Sequence, residues 1–279
     1  LTISDANHPS FGATGGWKVQ TDQTVVWQDL STLSGDFQIL GQGYTVAGKA
    51  MTDIYIYSPS AKYIGVYTTD DTGAITGFES IFTGENDLMQ VGLGDFTADG
   101  VSDLMLRTAD GYLGFYANGA FTAVQGLGTE WSVEALGDVN GDGTTDIVIA
   151  HAQGGYVGAY LIGKDGAITW GDLGSTEGGI EIVGAGDFNA DGTDDVLVKS
   201  GNYYGAWLCG NGAVTGFFGI GTFEAEVQDI ADYNADGEID YVTLGDKLFE
   251  IRPESAHNKL LIIFWQTQLS ILFKFSNQF

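Results

Sequence analysis

Four short acidic loops contain the side chains with the clearest chemistry. The pattern Asp-x-Asn/Thr-x-Asp-Gly-x-x-Asp occurs at residues 95–103, 138–146, 187–195 and 232–240, called the acidic loops below. Each loop offers side-chain oxygens at positions 1, 3, 5 and 9 and a backbone carbonyl at position 7. Ca²⁺ takes six to eight oxygen ligands, and this spacing lets one tight turn wrap one ion. The glycine at position 6 permits the sharp turn that a residue with a Cβ would resist.

The sequence therefore predicts about four calcium ions, one per loop, with no other cofactor and no catalytic residue. Without a cation the carboxylates of a loop repel one another, so calcium is also expected to stabilise the fold. The predicted metal ligands, with position 7 contributing its carbonyl, are Asp95, Thr97, Asp99, Val101, Asp103, Asp138, Asn140, Asp142, Thr144, Asp146, Asp187, Asn189, Asp191, Thr193, Asp195, Asp232, Asn234, Asp236, Glu238 and Asp240.

An upstream copy of the loop has lost this ligand set. When Asp53 is aligned with the closing aspartates, Thr45, Ala47 and Lys49 stand where the other loops carry Asp, Asn/Thr and Asp. A lysine ammonium repels a divalent cation and can itself neutralise a nearby carboxylate. This loop is predicted to bind no metal, with Lys49 neutralising Asp53.

The acidic loops must be positioned by strands. Each leads into a short apolar run such as DIVIA or DVLVK, followed by an aromatic-Gly element such as Tyr156-x-Gly158-x-Tyr160 and a Gly-Ala-x-Thr turn. Four strand-like segments in about 45 residues match the blade period of a β-propeller. The predicted fold is all-β, a propeller of about six to seven four-stranded blades.

One repeat domain is expected over residues 1–252, followed by an atypical tail. The repeat units are placed near residues 17–52, 53–102, 103–145, 146–194, 195–239 and 240 to the end. Residues 253–279 contain no Gly and no Asp. This tail is interpreted either as strands of the last blade or as a truncation artefact.

The repeat resembles a known family. The words GDVNGDG at Gly137–Gly143 and GDFNADG at Gly186–Gly192 resemble FG-GAP or VCBS-type repeats of integrin α-subunit propellers and bacterial surface proteins, over about residues 45–241. The resemblance implies a propeller with calcium in its blade loops. It also implies extracellular or cell-surface recognition, in a bacterial protein.

Charge narrows the range of partners. The formal net charge is -27, with 37 acidic residues against 10 basic ones. Nucleic acids and anionic membrane surfaces are therefore excluded as partners on electrostatic grounds. Membrane insertion through the tail is not expected either, because its apolar stretch is short and interrupted by Gln266 and Gln268. Cations are the expected partners.

The predicted function is a calcium-stabilised adhesion or binding module for a protein or glycan ligand. The alternative is the propeller domain of a polysaccharide-active enzyme, a lyase or a hydrolase. An enzyme needs one asymmetric constellation of groups, whereas these carboxylates recur in every unit, so the binding module is favoured.

A few residues outside the acidic loops are candidates for function. His151, in place of Ser58, Thr108 and Ser200, is read as a strand-end histidine rather than a catalytic one, and Cys209 as a buried thiol rather than a reactive one. His8 and His257 support no metal triad. The recurring Tyr and Trp of the aromatic-Gly element are assigned to packing. The aromatics that do not recur are candidates for a binding face, namely Trp131, Trp170 and Phe217.

Overall fold

Strands are the regular elements of this chain. The computed structural model describes residues 2–4, 13–19, 25–32, 36–50, 52–84, 87–223, 227–231, 240–245, 248–252, 262–263 and 272–273, and the statements below concern these residues. The strands up to residue 126 are β1 (Thr2–Ser4), β2 (Ala13–Val19), β3 (Val25–Thr32), β4 (Gln38–Gly43), β5 (Asp53–Ser58), β6 (Tyr63–Thr69), β7 (Ile75–Thr83), β8 (Leu88–Gly94), β9 (Asp103–Thr108), β10 (Tyr112–Ala117) and β11 (Ala120–Gly126). Those after it are β12 (Trp131–Gly137), β13 (Asp146–His151), β14 (Tyr156–Ile162), β15 (Ile168–Ser175), β16 (Ile180–Gly186), β17 (Asp195–Ser200), β18 (Tyr203–Gly210), β19 (Ala213–Thr222), β20 (Val227–Ala231), β21 (Asp240–Gly245), β22 (Leu248–Arg252), β23 (Ile262–Ile263) and β24 (Leu272–Phe273).

Four sheets share one build. The β4–β7, β8–β11, β12–β15 and β16–β19 sheets each contain four strands, and their spatial order follows the chain. The first two strands of each sheet pair in antiparallel fashion. The strands β1–β3 and β20–β22 form three-stranded sheets, and β23 pairs with β24. Small four-stranded antiparallel sheets repeated along a chain are the blades of a β-propeller, so the predicted fold class is confirmed. The number of blades stays a prediction.

Each acidic loop connects the first two strands of one sheet. In the β12–β15 sheet, Gly137 at the end of β12 lies opposite Asp146 at the start of β13, and loop 138–146 joins them. The repeat units placed at residues 53–102, 103–145 and 146–194 therefore begin one strand later than the sheets do. A repeat in sequence fixes the period of the strands but not which strand opens a sheet.

The second and third strands of each sheet form its core. In β13 every residue from Asp146 to Ala150 is buried, and the second strands β5, β9 and β17 are buried in the same way. A strand covered on both faces is apolar throughout instead of alternating, which explains runs such as DIVIA. The fourth strands, including β11, are largely exposed.

The chain divides into two compact units, each with its own buried side chains. One unit comprises Leu1–Thr129 with Gly163–Ile168, and the other comprises Glu130–Ile162 with Thr169–Phe279. The core of the first includes Tyr55, Ile64, Val66, Leu104 and Leu106. The largest core cluster of the second includes Val148, Val157, Ala159, Val196 and Val198.

An aromatic ring of the fourth strand covers the glycine of the third strand in all four complete sheets. A Cβ on that glycine would overlap the ring in each of the pairs Gly65 and Phe78, Gly114 and Phe121, Gly158 and Trp170, and Gly205 and Phe217. The expectation that Trp170 and Phe217 do not recur is therefore wrong. The four aromatics follow their turn glycines at unequal spacings, so comparison along the sequence does not align them.

Within the described segments, no helix is long and apolar enough to cross a membrane.

Candidate metal centres

The carboxylate at position 1 frames each described acidic loop. Asp138 Oδ1 accepts hydrogen bonds from the N–H groups of Gly141 (2.8 Å) and Asp142 (3.0 Å), and Oδ2 accepts one from Gly143 (2.6 Å). Asp95 and Asp187 make equivalent bonds to positions 5 and 6 of their own loops. The turn is thus organised around the first carboxylate, as a cation-binding loop requires.

Positions 3 and 5 tighten the turn further. In loop 138–146, Asn140 Oδ1 accepts from the Asp142 N–H at 2.8 Å, and Asp142 Oδ1 accepts from the Thr144 N–H at 2.9 Å. The same bond links positions 5 and 7 in the other two described loops. Position 6 is left-handed, with φ of 85° at Gly143, and this conformation favours the glycine found there.

The carboxylate at position 9 is buried and ties the loop to the sheet. Asp195 Oδ2 accepts from the Phe188 N–H at 3.1 Å, at the start of its own loop, and Oδ1 accepts from the Cys209 N–H at 2.9 Å, in β18. Asp103 likewise accepts from the Phe96 N–H at 2.9 Å. A buried carboxylate loses its hydration, and this desolvation costs free energy unless the carboxylate is paired with a donor or a cation.

One oxygen of the buried Asp146 carboxylate has no hydrogen-bond partner. Its Oδ1 accepts from the Ile162 N–H at 2.8 Å, but its buried Oδ2 has no hydrogen-bond donor. The Val139 N–H, which corresponds to that of Phe96 or Phe188, donates to the Gly137 carbonyl at 3.1 Å and lowers the pKa of Asp146 less than the Ile162 N–H does. Burial raises the pKa of Asp146 to about 8, and the carboxylates of Asp138 and Asp142 contribute to the rise.

The closing aspartates of the other two described loops are affected in the same direction. Burial raises the pKa of Asp103 to about 6, and the pKa of Asp195 also rises to about 6. Backbone N–H donors oppose the rise in both cases, while the other carboxylates of the loop add to it. All three sites therefore disfavour the charged carboxylate when no cation is beside it.

The upstream loop contains a protein cation at the equivalent carboxylate. Lys49 Nζ forms an ion pair with Oδ1 of the fully buried Asp53. Burial by itself raises the pKa of Asp53, but Lys49 and donors from Thr45 and Thr69 outweigh it, and the pKa lies below its ordinary value. The prediction that Lys49 neutralises Asp53 is confirmed.

The alignment of this upstream loop needs one correction. Gly43 pairs with Asp53 as Gly137 pairs with Asp146, so position 1 is Tyr44 and not Thr45. The Thr45 N–H donates to Asp53 Oδ2 at 3.0 Å, as the residue at position 2 does in loops 95–103 and 187–195. The loop is one residue longer than the acidic loops, which sequence alignment from Asp53 alone hides.

The structure does not assemble all predicted ligands. Among the described residues, no three His, Cys, Asp or Glu side chains form a group that could hold a metal ion. The position-5 side chains of the three described loops, Asp99, Asp142 and Asp191, are exposed. In the fourth loop Asp232, Asn234, Asp236 and Glu238 lie outside the described residues, while Asp240 opens β21. The ligand assignment stays a prediction.

Position 8 is a contact that the sequence reasoning missed. The Asp138 N–H donates to Asp194 Oδ2 at 2.8 Å, across to the neighbouring loop, and the Tyr44 N–H donates to Ser102 Oγ at 2.9 Å in the same way. Ser102, Thr145 and Asp194 all carry an acceptor oxygen at this position, but Ile239 does not. This partial recurrence of an acceptor at position 8 was the sequence signal for the contact.

His151 and Cys209, the other candidates among the described residues, are held by hydrogen bonding and packing. His151 Nδ1 accepts from the N–H groups of Gln153 and Gly154, both at 3.2 Å, and its ring lies 4.9 Å from that of Trp131. Cys209 is buried, as expected, and burial raises the pKa of its thiol to about 12. His8 and His257 lie outside the described residues.

The acidic loops and their sheets correspond to a known repeat. Residues 138–198, which span two acidic loops and the strands between them, match the model of the FG-GAP-like repeat. This segment of the chain is similar to an FG-GAP-like repeat. The same arrangement of loop and strands recurs outside the matched residues in the β8–β11 sheet.

Several solved structures are similar to the chain at low sequence identity. No curated protein sequence matches the chain. The Dos1 propeller is similar at 11% identity and TM-score 0.43, covering 93% of this chain and 66% of that one. The Cps50 (Swd1) β-propeller domain of Myceliophteria thermophila gives 10% identity, 96% and 85% coverage and TM-score 0.47. BBS1N, solved in complex with ARL6DN, is similar at 14% sequence identity and TM-score 0.48. The match covers 98% of this chain and 84% of BBS1N.

Proposed function

We propose that the protein is a calcium-stabilised extracellular binding module whose acidic loops each hold one Ca²⁺. The observation that carries the proposal is the contrast between Asp53 and Asp146. Both are fully buried and close their loops, but Asp53 has the Lys49 ammonium beside it, whereas Asp146 has a buried oxygen without a donor. A bound cation would supply at Asp146 the positive charge that Lys49 supplies at Asp53.

The donor set favours a hard cation. Side-chain oxygens at positions 1, 3, 5 and 9 and the carbonyl at position 7 are the kind of ligands that Ca²⁺ takes, and no thiolate or imidazole belongs to the described loops. In loop 138–146 the proposed ligands are Asp138, Asn140, Asp142, the Thr144 carbonyl and Asp146. When bound, the ion would neutralise these oxygens and stabilise the turn.

The recognition function is proposed from surface chemistry. Exposed aromatic side chains lie on the outer strands of the sheets, including Phe121 on β11, Trp170 on β15 and Phe217 on β19. Together with a formal charge of -27, they favour a neutral or cationic partner, either a protein or a glycan, and disfavour an anionic polymer.

Calcium titration by isothermal calorimetry tests the metal assignment. We expect three to four sites in the wild-type chain, and one fewer in Asp142→Ala, because that variant loses the exposed ligand of one loop. Asp110→Ala is the matched control, since Asp110 is an exposed aspartate outside the acidic loops. Unchanged stoichiometry in Asp142→Ala would show that loop 138–146 is not a calcium site.

A further inference from the structure

Two consecutive aspartates of the second unit face two different acidic loops. Asp195 closes its own loop, accepting from the Phe188 N–H. Asp194 instead reaches the preceding loop: its N–H donates to the Asp138 carbonyl at 2.8 Å, and its Oδ2 accepts from the Asp138 N–H at 2.8 Å. Asp138 is the residue whose carboxylate frames loop 138–146, so both backbone polar groups of that residue are held by residue 194.

Further contacts hold loop 138–146 against the following sheet. The Gly212 N–H, in the turn between β18 and β19, donates to the Val139 carbonyl at 3.3 Å. Gly141 lies so close to Thr193 that a Cβ on it would be 2.8 Å from Thr193 Oγ1. Residues 193, 194 and 212 together therefore support one side of the loop.

The first unit contains the same junction with a different residue. The Ser102 N–H donates to the Tyr44 carbonyl at 2.8 Å, and Ser102 Oγ accepts from the Tyr44 N–H at 2.9 Å. Serine at position 8 therefore preserves both hydrogen bonds without the charge. The junction belongs to the repeat, and its side chain can be exchanged within the geometry that the chain already uses.

We propose that residue 194 couples acidic loops 138–146 and 187–195, so that a divalent cation in loop 187–195 increases the affinity of loop 138–146 for its own. This inference rests on the proposed calcium function. A cation in the second loop fixes the backbone of residues 193–195, and the paired bonds to Asp138 then hold the first turn in its binding conformation. The first loop pays less ordering entropy when it binds, which is positive cooperativity between two sites.

The experiment follows each loop separately by NMR during titration with calcium chloride. The Gly143 and Gly192 amides donate to the position-1 carboxylates of their own loops and report on each site. Asp191→Ala removes a ligand from loop 187–195. We expect it to weaken calcium binding at Gly143 by roughly tenfold, within the usual range of coupling between sites. By reciprocity, Asp142→Ala should weaken binding at Gly192 by the same factor.

Two substitutions at residue 194 test the route of coupling. Asp194→Ala removes the acceptor for the Asp138 N–H, so the effect of Asp191→Ala on Gly143 should shrink to less than about twofold in that background, well below the usual coupling. Asp194→Ser keeps the acceptor, as Ser102 does, and should retain the coupling even if both affinities fall with the lost charge.

The outcomes separate this inference from the proposed function. If neither amide responds to calcium in the wild-type chain, the calcium function itself is wrong. If both respond but Asp191→Ala leaves the Gly143 affinity unchanged, the loops bind calcium independently. If Asp194→Ala retains full coupling, the coupling does not run through residue 194. Either result overturns the inference.

Discussion

Asp53 and Asp146 occupy the same position of the repeat and balance their charge in different ways. Asp53 is neutralised from within the chain by Lys49, and its pKa is lowered. Asp146 has two further carboxylates in its loop and a pKa raised to about 8. In the upstream loop Tyr44 is the first residue and Lys49 the sixth, whereas the acidic loops carry aspartate at positions 1 and 5.

Removal of the Lys49 charge should lower the free energy of unfolding, whether or not calcium is present. Lys49→Met leaves the buried Asp53 carboxylate without a counterion, and breaking a buried pair in this way costs roughly 3–5 kcal/mol. Urea unfolding monitored by tryptophan fluorescence measures the loss.

Lys199→Met is the matched control for this variant. Lys199 pairs with Glu181 at 3.2 Å, but Glu181 is 65% exposed, and such a surface pair contributes about 1 kcal/mol or less. Equal losses in the two variants, or a Lys49→Met loss that disappears in excess calcium, would contradict the role given to Lys49.

The metal-free protein should become more stable as pH falls from about 8 toward 5. Asp146, Asp103 and Asp195 have raised pKa values in the folded state, so the folded chain binds more protons than the unfolded chain throughout this range. Stability therefore decreases as pH rises through the folded-state values. Urea midpoints in excess chelator measure the trend.

Two comparisons attribute this pH dependence. Asp146→Asn, which is neutral at every pH, should flatten it, mainly between pH 6 and 8. Saturating calcium should flatten it in the wild-type chain, because a cation favours the charged carboxylates. Stability that rises with pH in the chelated wild-type protein would refute the assignment.

At the residue scale the sequence revealed charge but not hydrogen-bond direction. The spacing of Lys49 and Asp53 was enough to predict their pairing. The donorless oxygen of Asp146 was beyond prediction, because the sequence does not show that the Val139 N–H donates to the Gly137 carbonyl. The role of Asp194 depends on the neighbouring sheet, which no pattern within one loop describes.

At the scale of elements, the first strand carries a register shift in the four four-stranded sheets and in the β20–β22 sheet. It falls between Val133 and Ala135 in β12 and between Ile182 and Gly184 in β16, with counterparts in β4, β8 and β20. A bulge bends its strand and increases the local twist. The acidic loop begins directly after these strands, so the bulge helps to set the direction in which the loop leaves the sheet.

The covered glycine of the third strand is a second element-scale constraint. Gly158→Ala would place a Cβ against the Trp170 ring and 2.8 Å from the Gly171 carbonyl oxygen. Overpacking of this kind costs roughly 1–3 kcal/mol, and we expect the thermal midpoint to fall accordingly.

Gly126→Ala serves as the control for Gly158→Ala. Gly126 also lies in a strand, but a Cβ there meets no atom within 4 Å. This substitution should be neutral or stabilise by a few tenths of a kcal/mol, since it reduces the freedom of the unfolded chain. An equal loss in both variants would mean that glycine itself, and not the ring above it, is required.

Elements were more predictable than their grouping. The apolar runs and turn glycines indicated every strand from β5 to β19, because local composition determines which segments are extended. The grouping of strands into sheets was displaced by one strand, since the pairing of β12 with β13 is a choice between neighbours that periodicity leaves open.

At the scale of the whole molecule, the excess of acidic residues gives the protein a large negative net charge. A formal charge of -27 on 279 residues opposes compaction by self-repulsion. The acidic loops concentrate part of that charge where a divalent ion would offset it. Folding and calcium binding are therefore expected to be linked in this protein.

Thermal unfolding in excess calcium and then in excess chelator tests the central claim most directly. A ligand that binds only the folded state contributes about 2.7 kcal/mol per site at 100 times its Kd. For several sites and a chain of this size we expect the midpoint to fall by roughly 10 °C or more on chelation. Superimposable curves in calcium and in chelator would contradict the claim that calcium stabilises these loops.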